Sequence, residues 1–303
     1  MKYRAEIDGL RALAVLPVIL FHAGFEWFSG GFVGVDVFFV ISGYLITTII
    51  ISEMAKKKFS IANFYERRAR RILPALYFLL IFATIYALFS SPIYAKDIFQ
   101  SILATTFFAE NILLYIESSD YFDGVVGKKL LFHTWSLGVE EQYYVFFPIF
   151  IILFWSFGKK NLVWIISLLT AASFILSEWG WRNDPIANFY LAPTRAWELF
   201  AGSLVAFYLN KTSQQSNQLK SFIGILLIAF AIYFYDESTP FPSIYTLVPV
   251  IGAALIIIFA DSKTLVAKLL SNKYLVGVGL VSFSAYLWHQ PIFTLYDREM
   301  GYY

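Results

Sequence analysis

Residues 10–52 read LRALAVLPVILFHAGFEWFSGGFVGVDVFFVISGYLITTIIIS, two long apolar runs joined by a short turn. Each run holds about 20 residues, which as a helix rise about 30 Å, the thickness of the hydrocarbon core of a bilayer. The pair therefore predicts two transmembrane helices that fold back on each other.

Similar apolar runs recur along the rest of the chain. We predict spanning helices over 10–28, 32–52, 72–90, 135–157, 161–178, 195–210, 220–236, 244–261 and 274–296. The stretch 97–117 is ambiguous because Glu110, Asn111 and Glu117 interrupt it. The prediction is an all-α, polytopic transmembrane bundle of about nine to ten helices, with 1–303 as one integral-membrane domain.

The composition agrees with a membrane protein. Of 303 residues, 59% are hydrophobic and only 15% are charged, whereas soluble domains are about 45–50% apolar and about 25% charged. The sequence has no cysteine, which excludes disulfides and thiol catalysis. Glu6 and Asp8 interrupt the basic start, so we expect a retained first helix rather than a cleaved signal.

The basic segment 53–71 predicts the orientation, because Lys and Arg concentrate in cytoplasmic loops. The N-terminus lies two spans earlier and is then also cytoplasmic. If 97–117 does not cross, most of the 23 Lys and Arg residues lie inside. If it crosses, the bias is weaker. We predict a multi-pass protein of the cell (inner or plasma) membrane.

Arg11 and His22 are the first ionisable residues inside a predicted span, where each such group costs at least about 2.5–3.5 kcal/mol. At about 100° per residue they share one helix face, about 16 Å apart in depth. Histidine exchanges protons near neutral pH, which suits acid–base catalysis. The alternative is a packing histidine bonded to a carbonyl, with Arg11 as a snorkelling anchor.

A second polar stripe opens the helix that follows His-Thr-Trp, 133–135. Ser136, Glu140 and Tyr144 recur every four residues, so they share one face that lines a bundle interior. The protonatable residues predicted at this depth are His22, Asp36, Glu140, Glu141 and His289. They predict a shared cavity, and the alternative is a structural polar network that joins helices.

The segment FYERRARRILP, 64–74, is predicted to be cytoplasmic. In a helix, Arg68 and Arg71 share a face, as do Arg67 and Arg71. Neighbouring guanidinium groups suit phosphate oxygens, so they predict a phosphate-ligand site. The alternative is binding of anionic lipids and control of orientation.

Absent motifs narrow the chemistry. The three histidines lie in separate segments without metal-ligand spacing, so we predict no metal site. The sequence lacks a Gly-x-Ser-x-Gly elbow, a Walker loop and a dinucleotide fingerprint. We therefore expect no permanently bound cofactor, no nucleic-acid partner and no ATP-driven transport by this chain alone.

The motifs together resemble the membrane acyltransferase-3 family. The matching stretches are DGLRALAV (8–15) with the spacing to His22, GVDVFFVISGYLI (34–46), RRARRILP (67–74), WSLGVEEQYY (135–144), RAWELFAG (195–202) and SFSAYLWH (282–289). They run in order along nearly the whole chain.

The resemblance implies transfer of an acyl group, most often acetyl, from cytoplasmic acyl-CoA to a hydroxyl of an envelope or exported glycan. Lipopolysaccharide O-antigen, capsule and exopolysaccharide are the expected acceptors, and peptidoglycan stays open. Acyl-CoA (acetyl-CoA) is the donor substrate, and the glycan or lipid-linked glycan and membrane lipids are the other partners.

The resemblance also implies residue roles. It places Arg11 and His22 in acyl transfer, Arg68 and Arg71 in the donor site, and gives roles to Glu140 and Glu141. We add Arg67 to the donor site and Asp36 as a group that orients His22. Further predicted cavity residues are Ser136, Tyr144, Arg195, Glu198 and His289.

The end of the chain departs from the family pattern. Members usually have another helix after the Leu-Trp-His helix, and many add an extracytoplasmic SGNH-type domain. This sequence stops at Tyr303, so we expect the last family helix to be missing. The pattern leaves room for a separate SGNH-type partner.

These residues suggest a path for the acyl group. Arg68 and Arg71, with Arg11, hold the CoA phosphates, and the pantetheine arm runs along the Arg11–His22 face. His22 then acts as general base or carries the acyl group itself. The alternatives are a transporter or flippase for a polysaccharide or lipid-linked intermediate, and a non-catalytic scaffold.

Overall fold

The computed structural model describes residues 3–117, 129–212 and 215–299. These residues form α-helices and short 3-10 turns, and no strand occurs among them, which confirms the all-α prediction. The helices are α1 (Ala5–His22), α2 (Gly34–Ala55), α3 (Ile61–Leu88), α4 (Pro92–Thr106), α5 (Glu110–Glu117), α6 (Thr134–Phe154), α7 (Lys159–Asn183), α8 (Pro185–Tyr190), α9 (Ala192–Thr212), α10 (Gln218–Phe234), α11 (Leu247–Phe259), α12 (Leu265–Leu270) and α13 (Lys273–Glu299).

Four helical segments of the described chain are long and apolar enough to cross a membrane. They are Glu26–Ala55, Ile61–Leu88, Thr134–Phe157 and Lys159–Asn183, and Gln218–Phe234 and Ile244–Phe259 are shorter apolar helices. Large apolar side chains point outward on them, among them Phe78 and Leu168. Such a surface is stable against lipid rather than water, so the prediction of a membrane protein is confirmed. The number of crossings and the cytoplasmic N-terminus stay predictions.

The ambiguous stretch 97–117 is not one continuous helix. α4 ends at Thr106 and α5 begins at Glu110, and Phe108 between them has φ of 54°. This left-handed conformation interrupts the α-helical hydrogen bonding. The basic stretch 64–71, in contrast, is helical and continues directly into the apolar part of α3.

α2 and α9 form the centre of the bundle and lie between two hydrophobic cores. On one side α2 contributes Phe39 and Ile46 to a core with α3 and α6. On the other it contributes Val40 and Ile41 to a core with α1, α10 and α11. Residues on opposite faces of these two helices are therefore buried in different cores.

The backbones of α2 and α9 approach closely because each has glycine at the crossing. A Cβ on Gly43 would overlap the carbonyl of Leu199, and a Cβ on Gly202 would overlap the carbonyl of Val40. Small residues permit such contacts between membrane helices. The crossing fixes the position of Asp36 on α2 relative to Arg195 on α9.

Candidate active site

A cavity of about 80 Å³ lies among α1, α2, α3, α6 and α13. Apolar side chains such as Leu45 and Ile72 form much of its wall, and three arginines enter it. We call it the arginine cavity. Its polar lining residues are Arg11, Ser42, Arg68, Arg71, Ser136, Glu140, Glu141, Tyr144, Ser282 and Tyr286.

Three guanidinium groups give this cavity a positive end. Arg68 and Arg71 come from successive turns of α3 and Arg11 comes from α1. Arg71 is solvent-exposed, so the cavity opens to the surface here, and the buried Nε of Arg68 has no hydrogen-bond partner among the described residues. Arg11 Nη1 lies 3.6 Å from Asp8 Oδ1. This end suits an anionic ligand.

Arg67, which the sequence predicted in a donor site with Arg68 and Arg71, does not line the arginine cavity. Its Nη2 lies 2.9 Å from Glu53 Oε1, and it is not among the residues that line the arginine cavity. Arg67 precedes Arg68 by one residue, so it points about 100° away around the helix. The pairing of Arg67 with Arg71 at i, i+4 therefore did not identify a shared site.

Glu140 connects two helices at the wall of the arginine cavity. Its carboxylate accepts hydrogen bonds from the hydroxyls of Ser42 on α2 and Tyr144 on α6. Glu141 is buried beside it, and its Oε1 lacks a partner among the described residues. The stripe of Ser136, Glu140 and Tyr144 faces one cavity, as helical periodicity predicted.

A second, smaller cavity of about 10 Å³ contains His22. His133, Arg195 and Tyr286 also line it, and its remaining wall is apolar. We call it the histidine chamber. Its apolar lining residues are Val18, Phe32, Val35, Phe132, Trp135, Phe189 and Phe241.

His289, which was predicted to line a cavity, lines neither the arginine cavity nor the histidine chamber, but it contacts both histidines that line the chamber. Nδ1 of His22 lies 2.9 Å from the carbonyl oxygen of Val18 and 3.3 Å from Nε2 of His289. The ring centroids of His133 and His289 are 5.2 Å apart. Among the described residues, no three His, Asp or Glu side chains form a group that could hold a metal ion.

The structure thus divides the protonatable residues that we expected in one cavity. His22 lines the histidine chamber, whereas Glu140 and Glu141 line the arginine cavity. The reason is that Val35 and Tyr286 line both and separate them. Equal depth along the helices did not imply a common space.

Asp36 and Glu198 form a buried ion cluster with Arg195. Arg195 Nη2 lies 3.1 Å from Asp36 Oδ1, and Nη1 lies 3.1 Å from Glu198 Oε1. All three are at most 1% exposed. Neither carboxylate lines the arginine cavity or the histidine chamber. Asp36 therefore pairs with Arg195 instead of orienting His22 as we expected.

Aromatic rings enclose the Arg195 guanidinium. Its Cζ lies 5.4–5.5 Å from four ring centroids, which permits cation–π contacts on several sides. The rings are Phe39, Trp135, Phe189 and Phe241. Three of these rings also line the histidine chamber, so Arg195 is a fixed positive charge at its wall.

The sequence profile of the acyltransferase domain matches residues 4–301. The chain belongs to the acyltransferase-3 family. It is 35% identical to the peptidoglycan O-acetyltransferase OatA of Listeria monocytogenes, with 97% of this chain and 50% of that protein covered. It is 32% identical to the putative peptidoglycan O-acetyltransferase YrhL of Bacillus subtilis, with 97% and 49% covered.

A third relative is the O-acetyltransferase OatA of Staphylococcus aureus, which is 31% identical, with 96% of this chain and 51% of that protein covered. The chain spans about half the length of these curated relatives. No solved structure matches it. The predicted family, with its acyltransferase domain, is confirmed.

Three residues of this acyltransferase domain were missed in the sequence. His133 directly precedes the first residue of α6 and lies outside the stripe of Ser136, Glu140 and Tyr144. It is one of only three histidines in the sequence. Tyr286 lies within the quoted motif 282–289, and Ser42 within 34–46. The rarity of histidine was the signal for His133, whereas nothing local distinguished Tyr286 or Ser42.

Proposed function

We propose that this chain is the membrane part of an O-acetyltransferase that transfers acetyl from acetyl-CoA to a hydroxyl of peptidoglycan. The observation that carries the proposal is a guanidinium-lined cavity separated by one residue layer from a chamber that contains His22. The first suits a phosphorylated donor and the second suits acyl chemistry. The proposal includes a multi-pass location in the cell membrane.

Donor binding is proposed at the arginine cavity. Arg68 and Arg71 bind the phosphates of CoA at the exposed end, since guanidinium forks match phosphate oxygens. Arg11 adds a third positive charge. The apolar wall between Arg71 and Tyr286 suits the pantetheine arm, which directs the thioester toward the histidine chamber.

His22 has the tautomer needed for a base or a nucleophile. A carbonyl only accepts hydrogen bonds, so the 2.9 Å contact with Val18 places the proton on Nδ1. Nε2 then carries the lone pair, and it has no hydrogen-bond partner among the described residues. Arg195 and the ring of Tyr286 lie across the same chamber.

Two routes are compatible with this arrangement. As a general base, His22 takes the proton of the acceptor hydroxyl while the hydroxyl oxygen attacks the thioester carbonyl. The C–S bond breaks, and the CoA thiolate takes up the proton from His22. As an acyl carrier, Nε2 itself attacks, the C–S bond breaks, and CoA leaves as the thiolate. The acceptor oxygen then takes the acetyl group and its proton is released.

Peptidoglycan is proposed as the acceptor because the Listeria relative is named a peptidoglycan O-acetyltransferase and the Bacillus relative a putative one. Lipopolysaccharide, capsule and exopolysaccharide lack such support. The curated relatives are about twice as long as the part that this chain covers. Completion of the transfer outside the membrane by an SGNH-type partner is part of the proposal.

The test is acetyl labelling by the full chain in bacterial membranes. Membranes with the wild-type chain and isotope-labelled acetyl-CoA should transfer label to peptidoglycan, detected as acetylated fragments by mass spectrometry. His22→Ala should lower the label by about 10²–10⁴-fold. Peptidoglycan labelling equal to that of membranes lacking the chain would contradict the proposal. Movement of an unmodified glycan driven by a pH gradient would favour a transporter instead.

A further inference from the structure

Two residues, one of them aromatic, lie between the arginine cavity and the histidine chamber. Tyr286 and Val35 line both spaces. Val35 is a short branched side chain on α2, and Tyr286 is a large, half-buried side chain on α13. A group that passes directly from one space to the other must therefore displace one of these two side chains, of which the Tyr286 ring is the larger.

The Tyr286 hydroxyl is held against the first turn of α6. It donates a hydrogen bond to the carbonyl oxygen of His133 at 2.9 Å. Ser136 Oγ lies 2.6 Å from the same hydroxyl. Ser136 Oγ also lies 3.3 Å from the His133 carbonyl oxygen. A phenol has only one proton, so Ser136 is the donor in the shorter contact with Tyr286, and the longer contact competes for the same Ser136 proton. Two hydrogen bonds thus join α13 to α6 in the closed position.

The histidine chamber holds only a small group. Its volume of about 10 Å³ is close to that needed for one water molecule. Its aromatic walls are densely packed, so a pantetheine arm does not fit. An acetyl group, with one methyl and one carbonyl, is the shortest common acyl group and needs the smallest displacement of the walls.

We propose that the histidine chamber is a binding site for the acyl group, tight enough to favour acetyl over longer groups, and that Tyr286 is the gate between it and the arginine cavity. The identity of the acyl group rests on the proposed function, whereas the gate does not. With the gate closed, His22 and His133 are separated from the thioester and from water that enters the arginine cavity. Rotation of Tyr286 opens the route.

The gate is testable without activity because the chain contains no cysteine. Val18→Cys places a single thiol in the histidine chamber, and Leu45→Cys places one in the arginine cavity as the control. The probe is methyl methanethiosulfonate, applied to the full chain in nanodiscs. Tyr286→Ala should speed modification of Val18→Cys at least tenfold and change that of Leu45→Cys less than twofold.

Equal modification rates of Val18→Cys with and without Tyr286→Ala would overturn the gate. Tyr286→Phe retains the ring and removes only the hydroxyl, so it tests the same point if the alanine variant does not fold. It should give an increase smaller than that of alanine, because the hydrogen bonds are lost but the ring remains. Ser136→Ala, which removes one of these hydrogen bonds, should also speed the modification of Val18→Cys.

The acyl size limit has its own test. Acetyl-CoA should be used at least tenfold faster than propionyl-CoA, since one methylene in a tight pocket changes rates by about tenfold or more. Val18→Ala should raise the propionyl-to-acetyl ratio, and Val205→Ala, in the core and outside both cavities, should not. An unchanged ratio in Val18→Ala would overturn the size limit. If the chain transferred neither acetyl nor propionyl while Tyr286→Ala still sped the modification of Val18→Cys, the proposed function would be contradicted and the gate would not.

Discussion

Nδ1 of His22 lies 3.3 Å from Nε2 of His289, and each ring contacts a backbone carbonyl of its own helix through its Nδ1. Both Nδ1 atoms therefore carry protons, and His289 Nε2 is the acceptor toward His22. The second histidine thus helps to hold the tautomer and orientation of the first. Proton transfer by a positioned side chain contributes about 10²–10⁴-fold to catalysis.

Substitutions of these two histidines should differ in severity. His22→Ala should lower kcat for acyl transfer by about 10²–10⁴-fold. His289→Ala should lower it less and leave the KM for acetyl-CoA unchanged, since Arg68 and Arg71 are intact. His289→Gln, whose amide oxygen still accepts a hydrogen bond, should recover part of the loss. A kcat of His289→Ala equal to wild type would exclude a positioning role.

The arginines of the basic motif in α3 should differ in their effect on CoA affinity, because their side chains point in different directions. Arg68→Ala with Arg71→Ala should weaken CoA binding by about 10²–10⁴-fold, the effect of losing two charge-assisted hydrogen bonds worth about 1.5–3 kcal/mol each. Arg70→Ala is the matched control, because Arg70 is exposed and pairs with Glu66. Calorimetric titration with CoA measures both. Equal affinity of the double variant and the control would remove the donor site from this cavity.

The buried cluster of Asp36, Arg195 and Glu198 should contribute more to the free energy of unfolding than an exposed ion pair does. Arg195→Met leaves Asp36 and Glu198 without their counter-charge, and breaking a buried pair costs about 3–5 kcal/mol. Arg182→Met, which removes the exposed pair with Glu178, should cost less than about 1 kcal/mol. Denaturation of the detergent-solubilised chain gives both values. Adding Asp36→Asn and Glu198→Gln to Arg195→Met should restore part of the stability, and no recovery would argue against charge as the cause.

The crossing of α2 and α9 should not tolerate a methyl group. Gly43→Ala places its Cβ against the Leu199 carbonyl, and such overpacking costs about 1–3 kcal/mol. Gly277→Ala on α13 is the control, since no atom lies within 4 Å of its added Cβ. The same denaturation experiment compares them. If Gly43→Ala were as stable as Gly277→Ala, the close approach of the two backbones would be contradicted.

Helical periodicity predicted the parts of the site that depend on one helix. Arg68 with Arg71, and Ser136 with Glu140 and Tyr144, face one cavity because residues three or four apart lie on one side of a helix. The same reasoning did not predict the contact of Arg67, whose partner Glu53 belongs to another helix. Periodicity gives the direction of a side chain but not what it meets.

The amino-acid sequence by itself determined that this chain is an α-helical membrane protein of the acyltransferase-3 family. Long apolar runs form membrane helices because the bilayer core has no water to bind the backbone, so each helix must satisfy its own backbone hydrogen bonds. Only the tertiary structure decided that His22, His133 and His289 meet, that Asp36 pairs with Arg195, and that Tyr286 divides the interior. These contacts join residues more than 100 positions apart, and the crossings of the packed helices set them.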